Sequence, residues 1–505
     1  MHKQKQLYYI GLGLSLLFAV AYVLFIDYIS FPWRDEIGTS DTAVNVALYG
    51  EWISHVWKYS YNPLHAFLLI GWLKIWGVSH LTVCSFTVLL AFVSYAVLLN
   101  ILQKRELLTG VVGVIVFTLL YWGGFRFADL ITLGRTDLLV MLFTILLVNE
   151  VTPTKEGGFY HAKRWPTMLF AFLLMWASIY SIPVLCCYCA VVYLVNNDKL
   201  IRKELRWRYL YAIIGFVVSF ILVCLFFYAV HGLFKFINSY MSFNATISHD
   251  DRGRGLLTRL MDAYRVDIYA LVVLLVTTLV LGVQKKVRDK RVLGNLLFTA
   301  CIPMLMVFAG RYRFYYSWIF YVPVICLAEY AFSQIQKKWA LGCVLIAAAL
   351  SVMIRPLAKA QEFADKRTQL EGIEKFVEES SSYIGVRDDV LFDNSMFYYA
   401  LVDRRYTPWQ KYKGLDDIPQ PEEKFKAFLE KKVSDEGRRQ QFLEIFNKME
   451  HSEPYLPESG YFYVDGKDGY MHTVEYMQEH GYDVNDLKKD GEYALLHFSK
   501  SVDEQ

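Results

Sequence analysis

An acidic pair, Asp35 and Glu36, follows the first long apolar stretch of the chain. Asp41 and Glu51 come shortly after it, among aromatic and hydroxyl side chains. A carboxylate at the edge of an apolar segment is either solvated at the surface or placed in a cavity, where it can take a proton as a general base. The helices and loops predicted around this segment indicate whether these carboxylates are solvated or lie in a cavity.

The chain is strongly apolar up to about Arg355 and has the composition of a soluble protein beyond it. Of its 505 residues, 55% are hydrophobic, and its mean hydropathy is +0.28. The first part is a series of apolar runs of roughly 20 residues, a length that crosses the bilayer core as a helix. The sequence therefore predicts a polytopic α-helical membrane domain, residues 1–355, and a small soluble α/β domain, residues 356–505.

About eleven transmembrane helices are predicted. The first, about Leu7 to Ile29, is expected to be an uncleaved anchor, because it is too long for a signal peptide and lacks a small-residue cleavage site. The others centre near Phe92, Val116, Leu142, Leu173, Ala190, Ile221, Val273, Met304, Val322 and Ile346. Pro183 should break the stretch around Leu173 and Ala190 into two short helices.

The distribution of Lys and Arg predicts a cytoplasmic N-terminus. In that orientation every cytoplasmic joint is basic, and two are dense, KLIRKELRWR and QKKVRDKR. Basic joints tend to stay on the cytoplasmic side of a membrane. An odd number of spans then places the acidic segment and the soluble domain together on the extracytoplasmic side of the inner (plasma) membrane.

Two surface helices are predicted after the acidic pair. Residues 39–52 place Asp41, Asn45 and Trp52 at helical spacing, which gives one polar face. Pro63 then opens an apolar stretch of about 14 residues, which is too short to span a bilayer and suits an interfacial helix.

The soluble domain has a coarse α/β pattern. Helices are predicted over 363–379 and in the charged region 422–449. Strands are predicted at DVLFDN, GYFYVD and YALLHFSK, with a helix at TVEYMQEHGY. The long joint from about His231 to Asp267 is polar and punctuated by glycine, so a loop is expected there.

The order of span, acidic pair and two surface helices resembles the first outer loop of GT-C glycosyltransferases. The likeness is in particular to the protein O-mannosyltransferase and aminoarabinose-transferase-like branch. The steps of that loop are matched by Asp35-Glu36, Gly50-Glu51-Trp52, Asn62-Pro63 and Trp76-Gly77-Val78. Where the family often has Lys-Pro-Pro, this chain has Tyr61-Asn62-Pro63, so a basic residue sometimes assigned to the donor phosphate is missing, with Lys58 close by.

Two later stretches extend the resemblance over roughly residues 7 to 355. Gly134-Arg135-Thr136-Asp137 opens the fourth span, where the family often has a basic or aromatic residue followed by Asp. The stretch from Gly310 to Tyr316 is similar to the family's Arg-Tyr segment before its penultimate spans.

The resemblance implies a membrane glycosyltransferase of inverting type. Such an enzyme moves a hexose or pentose from a polyprenyl-phosphate-linked donor to an acceptor outside the membrane. The acceptor is a cell-envelope glycan, a lipid A-like glycolipid or a protein. Asp35 is the expected general base and Glu36 the alternative, because adjacent residues cannot both face one cavity.

Further site residues follow from the same reasoning. An Arg fork donates two parallel hydrogen bonds to a phosphate. The candidates for the donor phosphate are Arg135, Arg311, Arg313 and Lys58. The alternative role of the arginines is contact with lipid headgroups or pairing with Asp137 or Asp129. The candidates for the acceptor side of the cavity are Asp41, Asp137 and Tyr315.

A transporter or flippase of a lipid-linked glycan is the main alternative function, and a non-catalytic membrane scaffold is another. Transporters tend to show internal repeats; this sequence shows none, and its candidate charges cluster at one face.

No cofactor is assigned and a divalent cation stays open, although three adjacent residues such as His249, Asp250 and Asp251 rarely converge on one ion. All eight cysteines lie in apolar runs, which argues against disulfides and structural zinc. No nucleic-acid partner is expected.

Overall fold

The computed structural model describes most of the apolar part of the chain and the core of the C-terminal domain. The described residues are 2–30, 34–49, 63–108, 110–154, 157–178, 180–229, 256–308, 316–332, 335, 337–384, 390–392, 436, 440, 458–466, 471, 474–475, 477–479 and 481–501.

Helices make up most of the described chain. They are α1 (His2–Leu24), α2 (Ile26–Ile29), α3 (Arg34–Tyr49), α4 (Pro63–Trp76), α5 (His80–Lys104), α6 (Val111–Gly123), α7 (Phe125–Ile131), α8 (Asp137–Val151), α9 (Trp165–Ala177), α10 (Ile182–Val195), α11 (Lys199–Ala229), α12 (Leu256–Val266), α13 (Ile268–Val283), α14 (Lys290–Phe308), α15 (Trp318–Phe332) and α16 (Lys338–Ser380).

Each of the predicted spans coincides with a helix, so the expected helical membrane architecture is confirmed. Within the described ranges, 4 helices are long and apolar enough to cross a bilayer alone, or up to 6 if each of two bent pairs counts as one span. The bent pairs are α6 with α7, at 67°, and α12 with α13, at 85°. Several remaining apolar helices have only 10–17 residues.

The apolar helix predicted after Pro63 is α4, which covers Pro63–Trp76. Pro183 lies in the first turn of α10 and separates it from α9, as expected. A loop was predicted from about residue 231 to residue 267. Its last part, residues 256–266, instead forms the helix α12, which has one apolar and one polar face. Residues 230–255, including the acidic triplet at 249–251, lie outside the described residues.

The helix α8 has a polar cluster at each end. Asp137 opens it and Glu150 lies in its last turn, so the two clusters are about 20 Å apart along the axis. At the Glu150 end, the buried Glu150 carboxylate accepts from Arg208 Nη1 at 3.2 Å and lies 2.5 Å from His161 Nδ1. Arg105 donates to the Asn149 side chain there at 2.9 Å. These contacts tie α5, α8 and α11 together at one end of the bundle.

Glycines allow two close helix contacts. A Cβ on Gly215 of α11 would lie 2.3 Å from the carbonyl oxygen of Met168 on α9. A Cβ on Gly123 of α6 would lie 2.7 Å from the Val352 side chain of α16. Such distances are shorter than van der Waals contact, so only glycine permits these approaches.

The C-terminal domain contains a four-stranded sheet in the order β1-β2-β4-β3. Its strands are β1 (Val390–Phe392), β2 (Ser459–Asp465), β3 (Tyr482–Asp490) and β4 (Tyr493–Lys500). β1 runs parallel to β2, and the other pairs are antiparallel. The strands expected at DVLFDN, GYFYVD and YALLHFSK are present as β1, β2 and β4, whereas β3 was not expected. Of the predicted helix 422–449, only Glu436 and Gln440 are described, and both are helical.

The helix α16 connects the two parts of the chain without a break. It begins in the apolar region, passes position 355, and ends at Ser380 against the sheet. Phe376 packs there against Tyr493, with ring centroids 5.7 Å apart, and against Tyr463. The boundary predicted between residues 355 and 356 therefore falls inside one helix.

Candidate functional site

A buried ion pair, Arg135 with Asp137, opens α8. Arg135 Nε donates to Asp137 Oδ2 at 2.7 Å, and both side chains are almost fully buried. Tyr180 donates its hydroxyl to the other carboxylate oxygen, also at 2.7 Å. The Tyr180 ring packs on Tyr316 with centroids 4.6 Å apart. Both oxygens of Asp137 are therefore engaged, and the carboxylate fixes the guanidinium of Arg135 through Nε.

The helix that carries the acidic pair packs beside this ion pair. Thr39 of α3 donates its hydroxyl to the carbonyl oxygen of Gly134, at 2.9 Å, and Thr39 is buried. Asp35 lies four residues before Thr39, on the same face of α3. The backbone of the acidic segment is thus held next to the loop that carries Arg135.

His65 lies on α4, which packs against α3 and α9. The imidazole is buried and meets the Phe86 ring edge-on, at 5.6 Å between centroids. Burial, together with the smaller effect of the positive charge of Arg135, lowers the pKa of His65 to about 4. The His65 imidazole is therefore neutral, because burial and a positive charge nearby both disfavour the protonated ring.

A second charged cluster lies at the same end of the bundle, centred on Asp129 of α7. Asp129 Oδ1 accepts from Arg355 Nε at 2.8 Å and from Lys359 Nζ at 2.9 Å. Arg126 Nη1 lies 3.5 Å from Asp129 Oδ2. We refer to these four residues as the Asp129 cluster.

Backbone contacts join the two clusters. Arg355 Nη2 donates to the carbonyl of Ile29 at 3.1 Å and to Thr132 Oγ1 at 3.3 Å. The Ser30 hydroxyl donates to the carbonyl of Thr132. The segment between Asp129 and Asp137 is therefore fastened on one side to α16 and on the other to the end of α2 and to α3.

The structure brings together only part of the predicted site. Arg135 and Asp137 are described with their side chains and contact each other, and pairing with Asp137 was one of the roles expected for Arg135. For three predicted residues only the helical backbone of α3 is described: Asp35, Glu36 and Asp41. Four predicted residues lie outside the described residues: Lys58, Arg311, Arg313 and Tyr315.

Several residues at this end were not assigned by the sequence: Thr39, His65, Tyr180, Arg355 and Lys359. Arg355 marked only the end of the apolar part, although Arg355 and Lys359 are spaced to share a helix face. Two basic residues four positions apart, directly after an apolar run, are the sequence feature that could have indicated a charged cluster here. Thr39, His65 and Tyr180 carry no comparable local pattern.

Solved structures with the same fold exist over nearly the whole chain. Two are of ArnT from Cupriavidus metallidurans, one bound to undecaprenyl phosphate and one in the apo state. Each alignment covers 96% of this chain and 98% of the ArnT chain at 10% sequence identity, with TM-scores of 0.58 and 0.54. The chain therefore has an ArnT-like fold.

This ArnT-like fold confirms the architecture expected from the resemblance to the aminoarabinose-transferase-like branch. It comprises a polytopic helical part and a small α/β domain at the C-terminus. At 10% identity the likeness is one of architecture, since few residues are shared. No protein-family model and no curated protein sequence matches the chain.

Proposed function

We propose that this protein is a membrane glycosyltransferase that uses a polyprenyl-phosphate-linked sugar as donor. The observation that carries the proposal is the ArnT-like fold over 96% of the chain, together with the undecaprenyl phosphate bound to ArnT in one of those structures. The acceptor is a hydroxyl or amine of a cell-envelope glycan, a lipid A-like glycolipid or a protein. The sugar is a hexose or a pentose, and the transfer is of inverting type.

Asp35 is the proposed general base. Its helix α3 is fastened to the loop of Arg135 by the Thr39 hydrogen bond, which supports a role for an α3 carboxylate in the same site as Arg135. Proton removal from the acceptor by a positioned carboxylate contributes about 10²–10⁴-fold to a rate. Glu36, the neighbour of Asp35, is the alternative base.

Arg135 is the proposed contact for the donor phosphate. Asp137 holds its Nε, and Tyr180 holds Asp137 in turn, so the direction of the guanidinium is set before a ligand binds. A preorganised cation stabilises the charge that develops on the leaving phosphate. Arg311, Arg313 and Lys58 are proposed to share this role. Asp41 and Tyr315 are proposed for the acceptor side together with Asp137, and a divalent cation stays open.

The site is proposed to face the extracytoplasmic side of the inner membrane, with the N-terminus in the cytoplasm. The basic joints around Arg105, His161 and Arg208 meet at the Glu150 end of the bundle. By the positive-inside rule that end is cytoplasmic, so the Asp137 end and the C-terminal domain lie outside.

Sugar transfer by the purified full-length protein tests this proposal. Labelled donor is supplied in membranes or detergent to the wild type, to Asp35→Asn and to Asp365→Asn, a control for an exposed carboxylate on α16. We expect the wild type and Asp365→Asn to transfer sugar and Asp35→Asn to lose at least about 100-fold in rate. A wild-type rate for Asp35→Asn refutes the assignment of the base.

The acceptor is found by a separate experiment. Mass spectrometry of envelope glycans and glycolipids from a deletion strain shows which sugar disappears and from which molecule. Movement of a lipid-linked glycan across the membrane by purified protein that transfers no sugar would instead establish a flippase.

A further inference from the structure

The helix α12 meets α13 at a bend of 85°. α13 is apolar along its length and has 16 residues, so it is about 24 Å long and covers most of the thickness of a bilayer core. A helix that is nearly perpendicular to a membrane-crossing helix runs parallel to the membrane surface. α12 therefore lies along that surface, at the end where α13 begins.

α12 is too short and too charged to continue the span. Its 11 residues extend about 16 Å, and three of them are charged: Arg259, Asp262 and Arg265. A charged side chain at the centre of a bilayer is costly. The bend allows these side chains to lie at the boundary between hydrocarbon and water.

One side of α12 packs on α14. Ala263 is buried, and the Tyr264 hydroxyl donates to the carbonyl oxygen of Ala300 of α14 at 2.7 Å. These contacts hold α12 against the helical bundle. The opposite side of α12 therefore has a fixed direction.

The exposed side of α12 has an apolar edge. Leu257 is 72% exposed, and Met261, four residues later on the same helix face, is 48% exposed. Exposed apolar residues continue along one face of α13, as expected for a surface in contact with lipid. They are Ile268, Val272, Leu275, Leu279 and Val283, at 51% to 85% exposure.

A polar edge follows the apolar edge around α12. Thr258 and Arg265 are exposed, and at about 100° per residue both lie on the side next to Met261. Arg265 is one turn beyond Met261, where the long stem of an arginine can cover apolar surface while its guanidinium reaches the lipid headgroups. A helix with these two edges is typical of a membrane interface.

We propose that α12 inserts its apolar edge, Leu257 and Met261, into the adjacent leaflet, and that Arg265 binds the phosphate group of a bilayer lipid there. Arg265 donates two parallel hydrogen bonds to the phosphate oxygens. This leaflet is opposite the basic joint that follows α13, residues 284–291, so by the positive-inside rule it is the extracytoplasmic one. The lipid contact does not depend on the proposed sugar transfer.

Photocrosslinking from single positions of the full-length protein in lipid nanodiscs tests the insertion. The photoreactive residue p-benzoylphenylalanine (Bpa), which bonds to nearby C–H groups under ultraviolet light, is introduced as Met261→Bpa. Leu275→Bpa, in the lipid-facing stripe of α13, is the positive control. Met471→Bpa is the matched negative control, because Met471 of the C-terminal domain is an apolar residue of nearly the same exposure, 49%. Mass spectrometry of the intact protein measures the fraction that carries a lipid adduct.

We expect lipid adducts from Met261→Bpa and Leu275→Bpa, and none above background from Met471→Bpa. If Met261→Bpa gives no more lipid adduct than Met471→Bpa, the apolar edge does not enter the bilayer. If Met261→Bpa is crosslinked to a second copy of the chain or to another polypeptide, the edge is a protein contact and the proposal is wrong. All samples are irradiated below the Tm of every variant, so a missing adduct does not reflect loss of the fold.

Two charge variants test the phosphate contact. Met261→Bpa is combined with Arg265→Gln or with Arg288→Gln, which removes an exposed arginine beyond the other end of α13. The nanodiscs contain equal amounts of phosphatidylglycerol, which is anionic, and phosphatidylcholine, which has no net charge. One cation near a membrane surface contributes about fivefold in affinity for an anionic lipid.

We therefore expect the ratio of phosphatidylglycerol to phosphatidylcholine adducts to fall about fivefold with Arg265→Gln, by the same contribution of one cation. The ratio should not change with Arg288→Gln. Equal ratios for the two charge variants would show that Arg265 binds no lipid phosphate.

Discussion

Arg355 and Asp129 lie 226 residues apart in the chain and form a buried ion pair, with 2.8 Å between Nε and Oδ1. The pair joins α16, which continues into the C-terminal sheet, to α7, which leads into the loop of Arg135 and Asp137. The same guanidinium donates to the carbonyl of Ile29, next to α3. The position of the C-terminal helix and that of the candidate site are therefore coupled through one side chain.

The variant Asp129→Asn should be strongly destabilised. It keeps the shape of the side chain but removes the charge that Arg355 and Lys359 share. Removing one partner of a buried ion pair lowers the free energy of unfolding by about 3–5 kcal/mol, because the remaining charge has lost its partner. Thermal and denaturant unfolding of the purified protein measure the difference.

A second variant separates the loss of the pair from the loss of one partner. In Asp129→Asn/Arg355→Met both charges are gone, so we expect it to regain part of the lost stability. The structural role assigned to the pair is wrong if Asp129→Asn unfolds like the wild type, or if the double variant is no more stable than the single one.

Local patterns of apolar length predicted the membrane-domain helices apart from α12, whose residues 256–266 were expected as part of a loop. The stretch after Pro63 was expected as an interfacial helix of about 14 residues, and α4 has those bounds. Pro183 separated two short helices as expected, because a proline lacks the donor that a helix interior needs. Such features depend on residues that are neighbours in the chain, so a sequence displays them directly.

Long-range pairs could not be predicted in the same way. Nothing near Arg355 in the sequence indicates that it pairs with Asp129, because their proximity depends on how α7 bends after Gly124. The strand β3 was missed because most of its side chains are polar. It is the last strand in the order β1-β2-β4-β3, and a strand at that position buries few apolar side chains. The Arg135–Asp137 pair was an open alternative in the sequence, since the two residues are two positions apart.

Replacing Gly215 with Ala should destabilise the contact between α9 and α11. The added Cβ would meet the carbonyl oxygen of Met168 at 2.3 Å, so the helices must move apart or bend. Overpacking of this kind costs about 1–3 kcal/mol. Gly282→Ala in α13 is the matched control, because a Cβ there meets nothing within 4 Å.

The control should be neutral or more stable by up to about 1 kcal/mol, since alanine favours the helix over glycine. Thermal unfolding of both variants against the wild type gives the comparison. Equal Tm values for the two variants would show that α9 and α11 do not approach as closely as described.

Stability should depend on pH through Asp267, which lies in the turn before α13. Its Oδ1 accepts from the backbone N–H of Ala270 at 2.9 Å, whereas Oδ2 is buried without a partner among the described residues. Burial raises the pKa of Asp267 from 3.8 to about 7. The folded protein thus holds a proton that the unfolded chain releases between pH 4 and 7.

A raised pKa gives stability that is fully present below about pH 4 and is lost as the pH rises to about 7. The wild type should lose up to about 1.4 kcal/mol per pH unit in this window relative to Asp267→Asn, which cannot ionise. Asparagine keeps an oxygen for the helix cap. Unfolding of both proteins from pH 4.5 to 8 measures the difference, and parallel pH profiles would contradict the burial of an ionisable carboxyl here.

The hydroxyl of Tyr180 should be needed to hold the Arg135–Asp137 pair. In Tyr180→Phe the ring can still pack on Tyr316, but Asp137 Oδ1 loses its donor at 2.7 Å. A lost hydrogen bond to a buried charge costs about 1.5–3 kcal/mol. We expect the free energy of unfolding to fall by that amount. If Arg135 contacts the donor phosphate, we also expect the rate of sugar transfer to fall about tenfold or more.

Tyr193→Phe is the matched control for Tyr180→Phe. Its hydroxyl accepts from Arg206 at an exposed position, where a hydrogen bond contributes little. Unfolding and transfer rates are compared for both variants at a temperature where both are folded. A stability loss in Tyr180→Phe with an unchanged transfer rate would confine the Arg135–Asp137 pair to a structural role, because the phosphate contact requires the guanidinium orientation that Asp137 sets.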